Sequence, residues 1–151
     1  MTADSPSYPR QSDSGVPRVV LIIPAGGGAA RLGGVDKTRL PLGSSSILAT
    51  LLQATAAWDR IVVGHEAGDL GAQFPQVRWC REDPPGGGPV AALAAGLALA
   101  PEADIVVALA GDQPWAAGAV PRLLTALADP AVDAAVGSGN GRGQWLLAAY
   151  R

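Results

Sequence analysis

Lys37 is the only lysine in the chain, and it stands within PAGGGAARLGGVDKTRLPLG, Pro24 to Gly43, among glycines and the arginines Arg31 and Arg39. Glycines let backbone amides approach an anion closely, and successive amides form a concave nest for phosphate oxygens. Arg31 adds a planar fork and Lys37 a compact charge, both suited to charge-assisted bonds with a polyphosphate. Two further segments carry carboxylates: GDQPW holds Asp112, and EDPPGGGP holds Glu82 and Asp83. Magnesium is commonly held by one or two carboxylates while it keeps its waters and bridges phosphate oxygens, which makes Asp112 the metal candidate.

The glycine-rich stretch is neither of two well-known phosphate loops. A P-loop needs Gly, four residues, then Gly-Lys-Ser/Thr, whereas Lys37-Thr38 here follows Asp36. The dinucleotide fingerprint G-x-G-x-x-G starts at Gly26 and Gly28, but Arg31 occupies the third glycine position. A plain surface turn with solvated cations is the competing reading of the loop. Asp112 likewise has a structural alternative as the cap of a turn before Pro114. Glu82 and Asp83 have one as a solvated pair, and Trp115 is read as packing rather than as a stacking surface. Asp36 either orients Lys37 or bonds local amides. His65, the only histidine, is expected to be a solvated loop residue with no nucleophilic triad around it.

The elements around these segments explain why they belong together. Val19 to Ile23 (VVLII) is a short apolar, β-branched run, the mark of a strand buried on both faces. Ser45 to Ala57 reads as a helix capped by Ser44, Ser45 or Ser46, and Arg60 to Val63 as a second strand. Val77 to Cys80 is a shorter strand leading into EDPPGGGP. Pro89 to Ala100 is a helix with proline in its first turn, and Gly96 inside it is expected to permit close approach to the sheet. Asp104 to Ala110 is the clearest buried strand. Gly118 to Ala128 forms the next helix, and Val132 to Val136 and Trp145 to Tyr150 are strands flanking a flexible SGNGRG. Such alternation predicts an α/β fold, a mostly parallel sheet with helices on both faces, in which ligands collect beyond the carboxyl ends of the strands. The glycine loop, EDPPGGGP and GDQPW each follow a strand, so the topology is expected to bring all three to one rim.

Composition narrows the possible partners. The 151 residues fit one domain, with residues 1–17 (MTADSPSYPRQSDSGVP) expected as a disordered leader and 18–151 as the folded part. A net charge of −2 argues against nucleic acid or an anionic membrane as the main partner. No apolar run reaches the length of a membrane span, and the N-terminus is not a signal peptide, so a cytoplasmic location is expected. Cys80 is the sole cysteine, which excludes an internal disulfide and a cysteine-rich metal site.

The stretch PAGGGAARLGGVDK resembles the signature loop of the nucleotidyltransferases, and especially of the molybdenum cofactor guanylyltransferases. Their pattern runs Leu-Ala-Gly-Gly, a short variable step, Arg-Met-Gly-Gly, then Asp-Lys; Ala25, Gly26, Gly27, Arg31, Gly33, Gly34, Asp36 and Lys37 match in register. EDPPGGGPVAALAAGL resembles the family's second block, GDQPW the third, and GRGQWLLAAYR a later strand, so the resemblance covers roughly Val19 to Arg151. It implies a three-layer, Rossmann-like nucleotidyltransferase fold and magnesium-dependent transfer of GMP from GTP to molybdopterin, with release of pyrophosphate. It further implies contacts from Pro24, Ala25, Gly26 and Gly27 to the nucleotide, Lys37 against the triphosphate, and Asp83 near base or ribose. Arg31, Lys37 and Asp112 would be the catalytic set, with Asp112 on magnesium, and molybdoenzymes are the implied protein partners. Three departures stand out: Pro24 replaces the usual leucine, Gly64 stands where bacterial members often place a nucleotide-contacting asparagine, and family members generally continue beyond Tyr150-Arg151 with further elements. CTP or another phosphorylated acceptor, and a non-catalytic nucleotide-binding module, are the alternatives. A dinucleotide-dependent oxidoreductase is disfavoured by the failed fingerprint.

Overall fold

The computed structural model describes residues 15–26, 36–64 and 67–151; the expected leader lies outside them up to residue 14, as do Gly27, Arg31 and His65. In chain order the elements are β1 (Val19–Pro24), a 3-10 turn (Lys37–Arg39), β2 (Pro41–Leu42), β3 (Ser45–Ser46), α1 (Ile47–Ala54), β4 (Asp59–Val63) and α2 (Asp69–Gln73). There follow β5 (Arg78–Cys80), α3 (Gly88–Ala98), β6 (Ile105–Leu109), a second 3-10 turn (Ala116–Ala119), α4 (Val120–Ala126), β7 (Ala134–Gly139) and β8 (Arg142–Tyr150). Six strands form one sheet in the order β5-β4-β1-β6-β8-β7, while β2 and β3 make a separate two-residue ribbon. The first four strands of that order are parallel, β8 runs antiparallel beside β6, and β7 pairs antiparallel with β8.

β1 sits at the centre because its sequence has no polar face. Alternation sends Leu21 and Ile23 to one side and Val20 and Ile22 to the other, and all four are fully buried. At roughly 1.5–3 kcal/mol for each buried aliphatic side chain, this strand alone contributes about 6–12 kcal/mol of gross burial. Leu21 and Ile23 join Leu48, Leu51 and Leu52 of α1 and Val120 and Leu123 of α4. Val20 and Ile22 join Ile61, Val63 and Ala92 beneath α3. Helices therefore cover both faces, as the alternation of elements predicts.

Helix α1 is shorter than the expected Ser45–Ala57. Ser46 is its cap, with Oγ accepting from the Ala49 amide at 3.2 Å, and Ser45 is taken up by the β2–β3 ribbon. At the other end the Thr55 hydroxyl donates to Leu51 O at 2.8 Å, and the buried Arg60 donates from Nη1 to Leu52 O at 2.7 Å. The guanidinium thus satisfies a carbonyl that the helix end leaves open. Burial lowers the Arg60 pKa from its ordinary value, against the opposing charge of Asp59.

Gly96 brings α3 onto the sheet. A Cβ at this position would lie 2.5 Å from Ile22 Cγ2 and 3.1 Å from its Cδ1. Helix propensity favours alanine over glycine by about 1 kcal/mol, whereas overpacking a full core costs about 1–3 kcal/mol. Since Cγ2 is fixed on a fully buried β-branched side chain, the clash is expected to win. Gly96→Ala should lower the melting temperature by several degrees, and a rise on thermal denaturation would mean that α3 stands off the sheet.

The C-terminal strands differ from expectation. SGNGRG is not a flexible interruption: β7 and β8 run through it and close in a tight turn at Asn140-Gly141. Both residues have positive φ, +52° and +74°, as a type I′ hairpin turn requires. A register shift falls between Val136 and Gly137. Among the described residues, no helix is long and apolar enough to cross a membrane.

Candidate functional site

The C-terminal ends of the parallel strands are laced together by backbone hydrogen bonds. Val63 O of β4 accepts from Ala25 N at 2.7 Å and from Gly26 N at 3.2 Å. On the other side Pro24 O accepts from Gly111 N at 2.9 Å, and Gly64 N donates to Cys80 O at 2.9 Å. Pro24, Ala25 and Gly26 are thereby held between the ends of β4 and β6, with the end of β5 one strand further out. Gly64 is what permits this spacing: at φ +151°, a Cβ there would stand 2.4 Å from Gly26 N and 2.9 Å from Ala25 C. Where the resembled family often carries an asparagine, this rim has room for hydrogen only.

Asp112 follows Gly111 directly at the end of β6. Its neighbours are fixed, since Gln113 N donates to Ala110 O at 3.1 Å, Ala110 N donates to Leu146 O at 2.9 Å, and Pro114 is buried. Its own carboxylate is exposed and accepts no hydrogen bond from any described residue, so the turn-cap alternative is not realised. Among the described residues no three His, Cys, Asp or Glu gather into a metal-binding cluster. A lone carboxylate on an anchored backbone, with both oxygens free, nevertheless fits a hard cation that draws its other ligands from water and phosphate.

Lys37 opens the 3-10 turn of Lys37–Arg39, and Asp36 is spent on building that turn. Asp36 Oδ1 accepts from Thr38 N at 2.9 Å and from Thr38 Oγ1 at 2.7 Å, while Oδ2 lies 3.6 Å from Arg39 Nε. Of its two expected roles, bonding local amides is the one observed. Arg39 also pairs with Asp69 of α2 at 2.9 Å. The turn continues into Leu40, whose carbonyl accepts from Ile47 N at the start of α1 at 3.1 Å. The Lys37 side chain is exposed and has no ion-pair partner among the described residues. Gly27 and Arg31 lie outside those residues.

The acidic pair divides. Asp83 is exposed, as a solvated residue would be, but Glu82 is buried, only 8 % exposed, so the two are not a solvated pair. Glu82 Oε1 accepts from Gly86 N at 3.1 Å and lies 3.8 Å from the position that a Cβ on Gly26 would take. Glu82 is the one acidic residue in the buried set of described residues, and sequence reasoning did not single it out. Its place two residues beyond Cys80, which packs against the core under α3, was the available signal. Burial pushes the Cys80 thiol pKa up, and the Glu82 charge adds to that, against a smaller opposite effect of Arg78. Trp115 also departs from expectation. It is 77 % exposed and packs into neither core cluster, because Pro114 and Ala116 take the buried positions of the turn.

A mostly parallel six-stranded sheet, its strand ends laced together beside an aspartate with no partner among the described residues, is the architecture of the nucleotidyltransferase-like α/β class. The chain belongs to the MobA-like NTP transferase domain family, whose model matches residues 21–151. Its fold is similar to that of molybdopterin-guanine dinucleotide biosynthesis protein A from Archaeoglobus fulgidus, with a TM-score of 0.67 and 20 % identity over 87 % of this chain and 66 % of that one. A homolog of Mycobacterium tuberculosis rv0371c from Mycobacterium sp. strain JC1 is similar at a TM-score of 0.62 and 29 % identity, over 79 % of this chain and 63 % of that one. CMP:2-keto-3-deoxy-manno-octonic acid synthetase complexed with CTP is similar at a TM-score of 0.63 and 22 % identity, over 79 % and 51 %. The chain thus spans about two thirds or less of the length of these structures. Among curated proteins, none matches the sequence.

Proposed function

We propose that the chain transfers GMP from GTP to the terminal phosphate of molybdopterin in a magnesium-dependent reaction that releases pyrophosphate. The observation that carries this reading is the convergence of Pro24, Ala25, Gly26, Gly111 and Asp112 on one rim. Membership of the NTP transferase family supports it, and the fold shared with the archaeal molybdopterin-guanine dinucleotide protein favours guanine. An acceptor phosphate oxygen forms a bond to the α-phosphorus, the bond from α-phosphorus to the bridging oxygen breaks, and pyrophosphate leaves with that electron pair. The attacking oxygen is already anionic, so no general base is required, and positioning with charge neutralisation supplies the rate.

In this reading Pro24, Ala25, Gly26 and Gly27 contact the nucleotide through their backbone, and Asp83 approaches base or ribose. Arg31 and Lys37 stabilise charge on the phosphates. Asp112 holds magnesium, which when bound neutralises phosphate charge. The reaction is cytoplasmic, and the product is handed to molybdoenzyme partners. A second reading, transfer of a cytidylyl group or use of another phosphorylated acceptor, is favoured by the CTP-bound synthetase among the similar folds. A third, a nucleotide-binding module without turnover, is favoured by Gly64, which leaves no side chain at the rim where the resembled family often places a nucleotide-contacting asparagine.

A screen of GTP and CTP against molybdopterin and other phosphorylated acceptors, followed by pyrophosphate release, tests these readings. Release with GTP and molybdopterin alone is the expected result. Release with CTP moves the assignment to the second reading, and tight nucleotide binding with no release moves it to the third. Within the first reading, Lys37→Ala is expected to weaken GTP binding about 10-fold and guanosine binding hardly at all, since one charge-assisted bond to phosphate is lost. Equal losses for both ligands would assign Lys37 to the fold.

A further inference from the structure

The least explained group at the rim is Glu82. A buried carboxylate is costly unless donors or a cation compensate it. Among the described residues the compensation is a single amide, Gly86 N at 3.1 Å, and no cation lies within salt-bridge distance. From beyond the end of β5 the carboxylate reaches to 3.8 Å from the position that a Cβ on Gly26, at the end of β1, would take. A carboxylate has about four lone-pair sites, so most of its accepting capacity stays open at this point of the rim. What would complete it is a ligand edge with two adjacent N–H donors and no acceptor.

Guanine has that edge: N1–H and the 2-amino group stand side by side, and a carboxylate accepts from both. Cytosine offers one amino donor beside the N3 acceptor, which a carboxylate repels. We infer that Glu82 is the group that selects the nucleobase, accepting N1–H and the 2-amino group of guanine while Gly86 N holds its other lone pair. The inference rests on the GTP reading above and gives it a chemical cause within this chain. Two glycine segments cooperate in it. Gly64 lets the Gly26 backbone close against the end of β4 beside the Glu82 carboxylate, and the Gly86 amide fixes the orientation of that carboxylate.

The full chain with magnesium is the material for the test, and equilibrium binding is the readout, so no acceptor or turnover is needed. Wild-type protein is expected to bind GTP about 10-fold more tightly than ITP, which lacks the 2-amino group. Glu82→Gln preserves shape and leaves an amide oxygen for Gly86 N, so its melting temperature should stay close to wild type. Its amide nitrogen now donates, which suits the O2 carbonyl of xanthine. GTP affinity is therefore expected to fall about 10- to 100-fold while XTP affinity rises about 10-fold. Equal changes for GTP and XTP, or equal affinity of the wild type for GTP and ITP, would reduce Glu82 to a latch on the Gly86 loop and overturn the inference while leaving the GTP reading standing. Should Glu82→Gln fail to fold, the GTP–ITP comparison on the wild type decides alone. Preference of the wild type for CTP over GTP overturns the GTP reading itself, and this inference with it.

Discussion

Asp112→Ala is expected to leave the melting temperature within about 2 °C of wild type and to lower nucleotidyl transfer by about 10²–10³-fold. The first half follows from exposure: the carboxylate makes no hydrogen bond or ion pair with any described residue, so its removal deprives the fold of nothing. Exposed substitutions of this kind usually change stability by less than about 0.5 kcal/mol. The second half follows from position. Gly111 N bonds Pro24 O, and Ala110 N bonds Leu146 O, so the backbone beneath Asp112 is tied to two neighbouring strands. Preorganised groups aimed at developing phosphate charge are worth about 2.7–4 kcal/mol of barrier each. Asp112→Asn separates the two halves further, because it keeps the shape and loses only the charge. An asparagine variant with wild-type turnover would remove Asp112 from the chemistry, and a large loss of stability in either variant would make it a structural residue.

The strands carrying the rim were legible because their burial is two-sided. VVLII and DIVVALA can lie nowhere but the middle of a covered sheet, and they form β1 and β6. Gly96 was legible for a related reason: a glycine in an otherwise strong helix sequence points to a neighbour too close for a side chain, and that neighbour is Ile22. The β7–β8 hairpin was harder only because Asn140-Gly141 lies among other turn formers, which hid a dipeptide that by itself specifies a type I′ turn. α2 was missed since DLGAQ is a single short turn buried through Leu70 alone.

The candidate site was legible in its residues and much less so in their environments. Asp112 and Asp36 are both aspartates beside glycine-rich or turn sequence, yet one carboxylate is free and the other is consumed by Thr38 and Arg39. Sequence spacing cannot separate those states, because both follow from how a loop is tethered to its neighbours. Glu82 and Asp83 make the same point. Adjacent acids look alike in a charge pattern, but the Gly86 amide holds only one of them, Glu82, inward.

Gly64→Ala is expected to cost roughly 4 kcal/mol and to abolish nucleotide binding at any temperature where the variant is still folded. A Cβ there meets Gly26 N at 2.4 Å and both Ala25 C and Gly26 Cα at 2.9 Å, all of them backbone atoms that no rotamer change can move aside. Those atoms are also pinned, because Val63 O accepts from Ala25 N and Gly26 N, and Gly64 N donates to Cys80 O. Relief therefore requires β1 and β4 to part at their C-terminal ends, which breaks these bonds and shifts the backbone that would receive the base. Overpacking contributes about 1–3 kcal/mol, and φ of +151° on a residue with a side chain adds a further 1–3 kcal/mol or so. For a chain of this length the melting temperature should fall by roughly 8–16 °C. Gly118→Ala is the matched control, since nothing lies within 4 Å of a Cβ at that position and its φ is not positive. It should be neutral or slightly stabilising, by about 0.4–1 kcal/mol, through the unfolded chain. Thermal melts of the two variants side by side measure the difference directly. If Gly64→Ala melts within a degree or two of Gly118→Ala, then β1 and β4 do not approach as closely as described, and the tight packing of Gly26 against Gly64 ceases to be a feature of the site.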